Sequence, residues 1–200
     1  MRWGMLTTVA LAVALSACGG SKSSPIGWRT HHVDDGGFSI ATPAAWRTIE
    51  KIDTGSIDEF TKENPKLAPF AGVLKGGLIK FLAIDPDVAD DFATNANVLV
   101  HNVGVDMSFE EYVRQSVAAT HRLDAVGVQS RVVRVPAGRS SRLSYGYDIR
   151  QNQKTKRLTI LQYAFLRGGS EYVITFTTLP SLRERYRTTF ARAARSFRFD

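Results

Sequence analysis

Two stretches of this 200-residue chain gather side chains that could hold an ion. His31-His32-Val33-Asp34-Asp35 offers two imidazoles and two carboxylates in five positions, the ligand types that bind zinc or another transition ion. Adjacent histidines on an extended backbone point to opposite sides, so at most one serves a given site, and the stretch reads as a solvated leading loop. Asp85, Asp87, Asp90 and Asp91 could gather oxygens around calcium, but the glycine and the terminal glutamate of an EF-hand loop are missing, and a solvated acidic turn is expected. No metal site and no cofactor is predicted. His101 lies in an apolar strand pattern and His121 near a helix C-terminus, where a cation suits the helix dipole. Trp28 and Trp46 flank the first strand and could line a pocket, though closing a core is the ordinary use of tryptophan there. The sequence carries no Gly-x-Ser-x-Gly elbow, no His-Glu-x-x-His and no phosphate-binding loop. It reads as a chain without catalytic residues, not an enzyme.

The one thiol, Cys18, points to a different chemistry. Arg2 is a short positive start, Leu6 to Leu15 an apolar run, and Leu15-Ser16-Ala17 a small-residue approach to the cysteine, the parts of an export signal in order. An apolar run of about 10 residues is half of what a helix needs to cross a bilayer, so it serves export and not permanent spanning. Leu15, Ser16 and Ala17 match the lipobox of bacterial lipoproteins, the signal-peptidase recognition sequence ahead of a lipid-bearing cysteine. Each buried methylene contributes about 0.8 kcal/mol, so a diacylglyceryl group holds a protein stably where one chain does not. The predicted organisation is a signal peptide over residues 1–17, a flexible tether over 18–27 beginning at lipidated Cys18, and a folded domain over 28–200. The predicted place is the extracytoplasmic face of the cell membrane, with the membrane itself a partner through the anchor. The mature chain would have 183 residues, enough for one domain with its own core. With its cysteine acylated it could form no disulfide.

Charge is uneven. Residues 1–100 carry 9 Lys/Arg against 11 Asp/Glu, and residues 101–200 carry 17 against 8. On an exported chain the basic half meets anionic headgroups, envelope phosphates or acidic partners, and not nucleic acid; a solvated basic surface is the simplest expectation.

The elements that must position these residues follow from periodicity. Gly37 to Pro43 alternates and then stops at proline, and Trp46 to Ile52 reads as a second short strand. Ile57 and Phe60 suggest a helix that Pro65, Pro69 and Gly76-Gly77 interrupt. Leu78–Ile84 and Asn97–Val103 read as paired strands around the acidic turn. Ser108-Phe109-Glu110-Glu111 opens a helix with a capping box, placing Phe109, Tyr112, Val113 and Val117 on one face. Strands are predicted over Gln129–Val135, Ser140–Ile149, Arg157–Leu166 and Glu171–Thr178, with turns short enough to make them antiparallel neighbours. A last helix is predicted from a capping box at Ser181 and Glu184. Its stripe of Leu182, Tyr186, Phe190, Ala193 and Phe197 suits a sheet better than a membrane surface.

Two motifs then suggest a family. Gly37-Phe38-Ser39-Ile40-Ala41-Thr42-Pro43-Ala44-Ala45-Trp46 resembles the opening of PsbP-like and Mog1-like domains. Glu171-Tyr172-Val173-Ile174-Thr175-Phe176, leading through Tyr186 and Phe190 to Ser196-Phe197-Arg198-Phe199, resembles their closing hairpin, helix and strand. The resemblance implies an α+β fold, an αβα sandwich with a central antiparallel sheet and packed helices, that serves binding or assembly in place of catalysis. Family members include a photosystem subunit, a binder of a nuclear-transport GTPase and lipid-anchored bacterial proteins. The expected function is a lipid-anchored binding or assembly module of the bacterial cell envelope, with an envelope protein as partner. The alternative is a carrier that holds a small apolar or lipid ligand in a pocket between sheet and helix.

Overall fold

The computed structural model describes residues 27–48, 62, 76–104, 107–151 and 153–200. Among them are ten strands and two α-helices. Strands β1 (Trp28–Val33), β2 (Phe38–Pro43) and β10 (Arg198–Phe199) form a small sheet ordered β1-β2-β10. The large sheet contains β3 (Arg47–Thr48), β4 (Ile79–Ala89), β5 (Phe92–Asn102), β6 (Val126–Val135), β7 (Gly138–Gln151), β8 (Lys154–Arg167) and β9 (Ser170–Thr178). Its order is β3-β4-β5-β9-β8-β7-β6, antiparallel throughout.

Alternation along these strands sorts the large sheet into two faces. On one face Phe81, Ala83, Ala96, Val98, Tyr163, Phe165, Ile174 and Phe176 meet the small sheet and the second helix, α2 (Arg183–Ser196), which buries Tyr186, Phe190, Ala193 and Ala194. Phe176 stacks on Phe190 and Phe190 on Tyr186, with centroids 4.7 and 5.6 Å apart. On the opposite face lies α1 (Phe109–Arg122), whose Tyr112 packs on Ala164 and Val173. Beside it Leu143, Tyr145, Tyr147, Ile149, Leu158 and Ile160 form a second cluster with Phe92 and Leu123.

The antiparallel sheet is as expected, but the architecture is mostly sheet and not a balanced α+β sandwich. One helix and a second sheet cover one face where the sequence reading placed helices alone, because Trp28–Val33 is extended and hydrogen-bonds to β2. His31-His32 is therefore part of β1 and not a solvated loop; only Asp34–Gly36 leaves the strand, as a single 3₁₀ turn. The acidic turn also moves. Asp85 and Asp87 lie inside β4, at an irregularity between Ile84 and Val88, and the hairpin turns at Asp90-Asp91, both with positive φ. Such a two-residue turn matches the strand twist, and aspartate tolerates the left-handed region better than most residues.

Ser108 caps α1, its Oγ accepting from the Glu111 amide at 3.1 Å, while the Glu111 carboxylate accepts from Gln115 and pairs with Arg114, so only the serine half of the expected box is seen among the described residues. The second capping box does not form: Pro180–Leu182 is a 3₁₀ turn, and α2 begins after Leu182 without a side-chain cap. The interrupted helix predicted from Ile57, and the strand beyond Thr48, lie outside the described residues apart from Lys62, Gly76 and Gly77.

The two family-like motifs meet in space. Phe38 pairs with Phe199 across β2 and β10, and the Phe38 and Phe197 rings lie 5.1 Å apart, both fully buried. Phe197 also stacks on Phe165 at 5.3 Å, so the ends of the folded unit are pinned by one aromatic cluster.

Candidate functional site

A cleft of about 440 Å³ opens at the end of the large sheet where β7 begins and β8 ends, lined by Met107, Phe109, Gly138, Arg139, Leu166, Arg167 and Phe199 over a floor of Phe165. It straddles the sheet. Phe109, the first residue of α1, and Arg139 lie on the α1 side, while Phe165 and Phe199 come from the side of the small sheet. Phe199 is placed by β10 and by edge-on contact with Phe165 at 5.8 Å; Phe165 is 2% exposed.

Two guanidinium groups rim this apolar cleft. Arg139 sits 4.4 Å from the Phe109 ring centroid and donates to Glu110 at 2.7 Å, which holds the Glu110 carboxyl below its ordinary range. Arg167 lies 4.6 Å from the Phe199 centroid, and among the described residues no carboxylate pairs with it. An aromatic face attracts a cation without neutralising it. The cleft therefore presents apolar walls and, at its rim, a guanidinium that no carboxylate among the described residues neutralises, suited to an apolar group that carries an acid.

A second cluster lies deeper on the α1 face. Glu171, 1% exposed, opposes His101 across β5 and β9, with Oε1 3.5 Å from Nδ1. Neither of those atoms has a hydrogen-bond partner among the described residues. Burial pushes the Glu171 carboxyl up to about 7, partly offset by the Tyr112 hydroxyl, and burial pushes the His101 imidazole down. Both groups thus favour their neutral forms, the arrangement of a polar pair tolerated in a core. A buried row of Asn95, Asn97, Gln162, Thr175 and Thr177 continues on the same face.

The residues singled out from sequence are dispersed. His31 Nε2 lies 3.0 Å from Thr42 Oγ1 and its ring packs against Phe81, with burial, then Arg29, lowering its pKa; His32 is exposed on the other side of β1. Asp85 accepts from the Tyr186 hydroxyl at 2.7 Å and Asp87 pairs with Arg185 at 2.6 Å, so two of the four aspartates fasten α2 to the bulged strand. Among the described residues no cluster of three His, Cys, Asp or Glu could hold a metal ion. Trp46 is buried against Tyr186, and half-buried Trp28 lies under Arg192 at 4.3 Å; both close the core. His121 lies in the last turn of α1. Leu15, Ser16, Ala17 and Cys18 lie outside the described residues. No described helix is long and apolar enough to cross a membrane. The cleft and the His101–Glu171 pair were missed from sequence, because each is assembled by strand register between distant segments.

Neither family models nor curated protein sequences match the chain. Solved structures do. The chain is similar to cyanobacterial PsbP (CyanoP) from Synechocystis sp. PCC 6803, at 12% identity over 93% of this chain and 99% of that one, with a TM-score of 0.53. The fold is PsbP/Mog1-like. LpqN, involved in cell envelope biogenesis of Mycobacterium tuberculosis, aligns at 12% identity over 86% of this chain and 90% of its own, with a TM-score of 0.53. The Saccharomyces cerevisiae Ran-binding protein Mog1p aligns at 9% identity over 88% and 96%, also at 0.53.

Proposed function

We propose that this protein is a non-catalytic binding module of the bacterial cell envelope, anchored by lipid on Cys18, whose cleft at Phe109, Phe165 and Phe199 takes an apolar group of a partner protein next to an acid. Arg167, without a carboxylate partner among the described residues and set at an aromatic cleft, carries this reading. PsbP/Mog1-like folds support it, since LpqN is described in envelope biogenesis and Mog1p as a Ran-binding protein. The domain begins at Trp28, the far end of β1 from Val33, which lies across β2 from Phe199. Six residues of strand put roughly 17 Å between the anchored end and the cleft end.

Replacing Phe199 with a photoreactive phenylalanine analogue in the full-length chain tests the cleft. One discrete protein adduct is expected in membranes, weakened by R167A. The apolar lining also suits a small lipid carrier, and adducts formed with lipid alone would replace the partner reading with that one. The anchor is tested separately. C18S should leave the membrane fraction and lose palmitate labelling; full retention with label would defeat the lipoprotein reading.

A further inference from the structure

Among the described residues strand β6 ends the order of the large sheet, so alternate backbone N–H and C=O groups along it face away from β7. Seven of its ten residues are exposed. Val126 and Val132, at 43% and 50%, are the two most exposed large apolar residues among those described. Edges of this sort are templates for another strand, and proteins often blunt them with charge or with a bulge such as the register shift between Val126 and Gln129 here, which leaves Gln129–Val135 as the regular stretch. Here the charge goes further than blunting requires. Arg131 stands directly opposite Arg142, and Arg134 directly opposite Arg139. Like charges facing across a sheet are destabilising, and one arginine per face on the edge strand would suffice as a guard. Of the four, Arg139 alone has a carboxylate partner among the described residues, and Arg142 reaches the Tyr163 ring at 6.0 Å.

Resting on the reading of the domain as a binding module, we infer that the β6 edge accepts an extended acidic segment of a partner protein as an added strand. Main-chain bonds would supply the pairing, and Arg131 with Arg142 on one face and Arg134 on the other would select glutamate or aspartate, Arg139 being already paired with Glu110. Because side chains alternate, Arg131 and Arg134 lie on opposite faces, so the segment must present an acid to each. A second copy of this edge does not fit, since Val126–Val135 contains no carboxylate and would only add arginine to arginine.

The probe is a fluorescent peptide of threonine and valine carrying two glutamates three positions apart, titrated into the full chain bearing C18S to keep it lipid-free. Binding is expected, and R131E/R134E should weaken it about tenfold or more. A peptide with lysine for glutamate should bind that variant in return. N-methylation of alternate peptide amides on one edge should abolish binding while the opposite set leaves it intact. Four results overturn the inference: no binding, equal loss or equal retention for the two N-methylated sets, association of the chain with itself that the peptide does not displace, or binding to phosphatidylglycerol vesicles without peptide binding. The crosslink at Phe199 and the titration at β6 read different surfaces, so either reading can fail alone.

Discussion

Replacing Glu171 with glutamine should change the pH dependence of folding in a defined direction. Glu171 is 1% exposed and faces His101 across the strands, and burial raises its pKa from 4.5 to about 7. A native pKa above the unfolded one means the folded chain keeps a proton that the unfolded chain releases. The stability this contributes is fully present below pH 4.5, is lost progressively as pH rises, and is gone above about pH 7. At about 1.36 kcal/mol per unit the loss amounts to roughly 3 kcal/mol. Glutamine keeps a neutral hydrogen-bonding group of the same shape and cannot ionise. E171Q should therefore match the native chain near pH 4 and exceed it by about 3 kcal/mol at pH 8, with the gap opening between 4.5 and 7.

His101 acts the other way. Its lowered pKa removes stability as pH falls through 6.5 and below, an acid limb that both chains share and that cancels in their difference. H101Q should flatten that limb while preserving the loss toward alkaline pH. Urea unfolding followed by tryptophan fluorescence at closely spaced pH values measures all three chains. A gap that does not widen with pH, or an E171Q chain less stable than the native one at pH 8, would refute the reasoning.

F197A removes a fully buried ring that contacts Phe38 and Phe165 and should cost about 3–5 kcal/mol in urea unfolding. Y186F removes the hydroxyl that donates to Asp85 at 2.7 Å and should cost about 1.5–3 kcal/mol, the range for a hydrogen bond to a charged group; D85N should cost less, since the acceptor remains. G36A places a Cβ 2.4 Å from the ring of buried Phe38 and should lower thermal stability by about 1–3 kcal/mol through overpacking.

The sequence disclosed most where local chemistry is strong. Ser108 with Glu111, the proline after Thr42, and the Tyr186–Phe190–Phe197 stripe each determine their own geometry within a few residues, and each element stands where its pattern put it. Boundaries failed where long-range pairing outweighed local preference. Trp28–Val33 looks like a polar leader, but six residues of pairing with β2 hold it extended. Asp85-Pro86-Asp87 looks like a turn, yet Tyr186 and Arg185 of α2 satisfy its carboxylates and let β4 run on. Ser181 had the spacing of a cap, but Pro180 starts a 3₁₀ turn that delays the helix. The His101–Glu171 pair was beyond reach, because 70 positions separate partners that only the β5–β9 register joins.

The basic half of the chain acquires a meaning from this placement. The surplus of arginine in residues 101–200 suits a solvated surface, and on α2 it is largely that, with Arg187 paired to Glu184 and Arg185 to Asp87. At the β6–β7 edge the same residue type stands opposite itself, and at the cleft Arg167 lies over the Phe199 ring with no carboxylate partner among the described residues. Solubility alone would be served by arginines spaced apart, since exposed like charges directly opposite each other reduce stability. Under the inferred pairing, an acidic segment would remove that repulsion on binding and leave it in the free domain. The edge strand and the cleft meet at the β6–β7 turn, where Arg139 belongs to both.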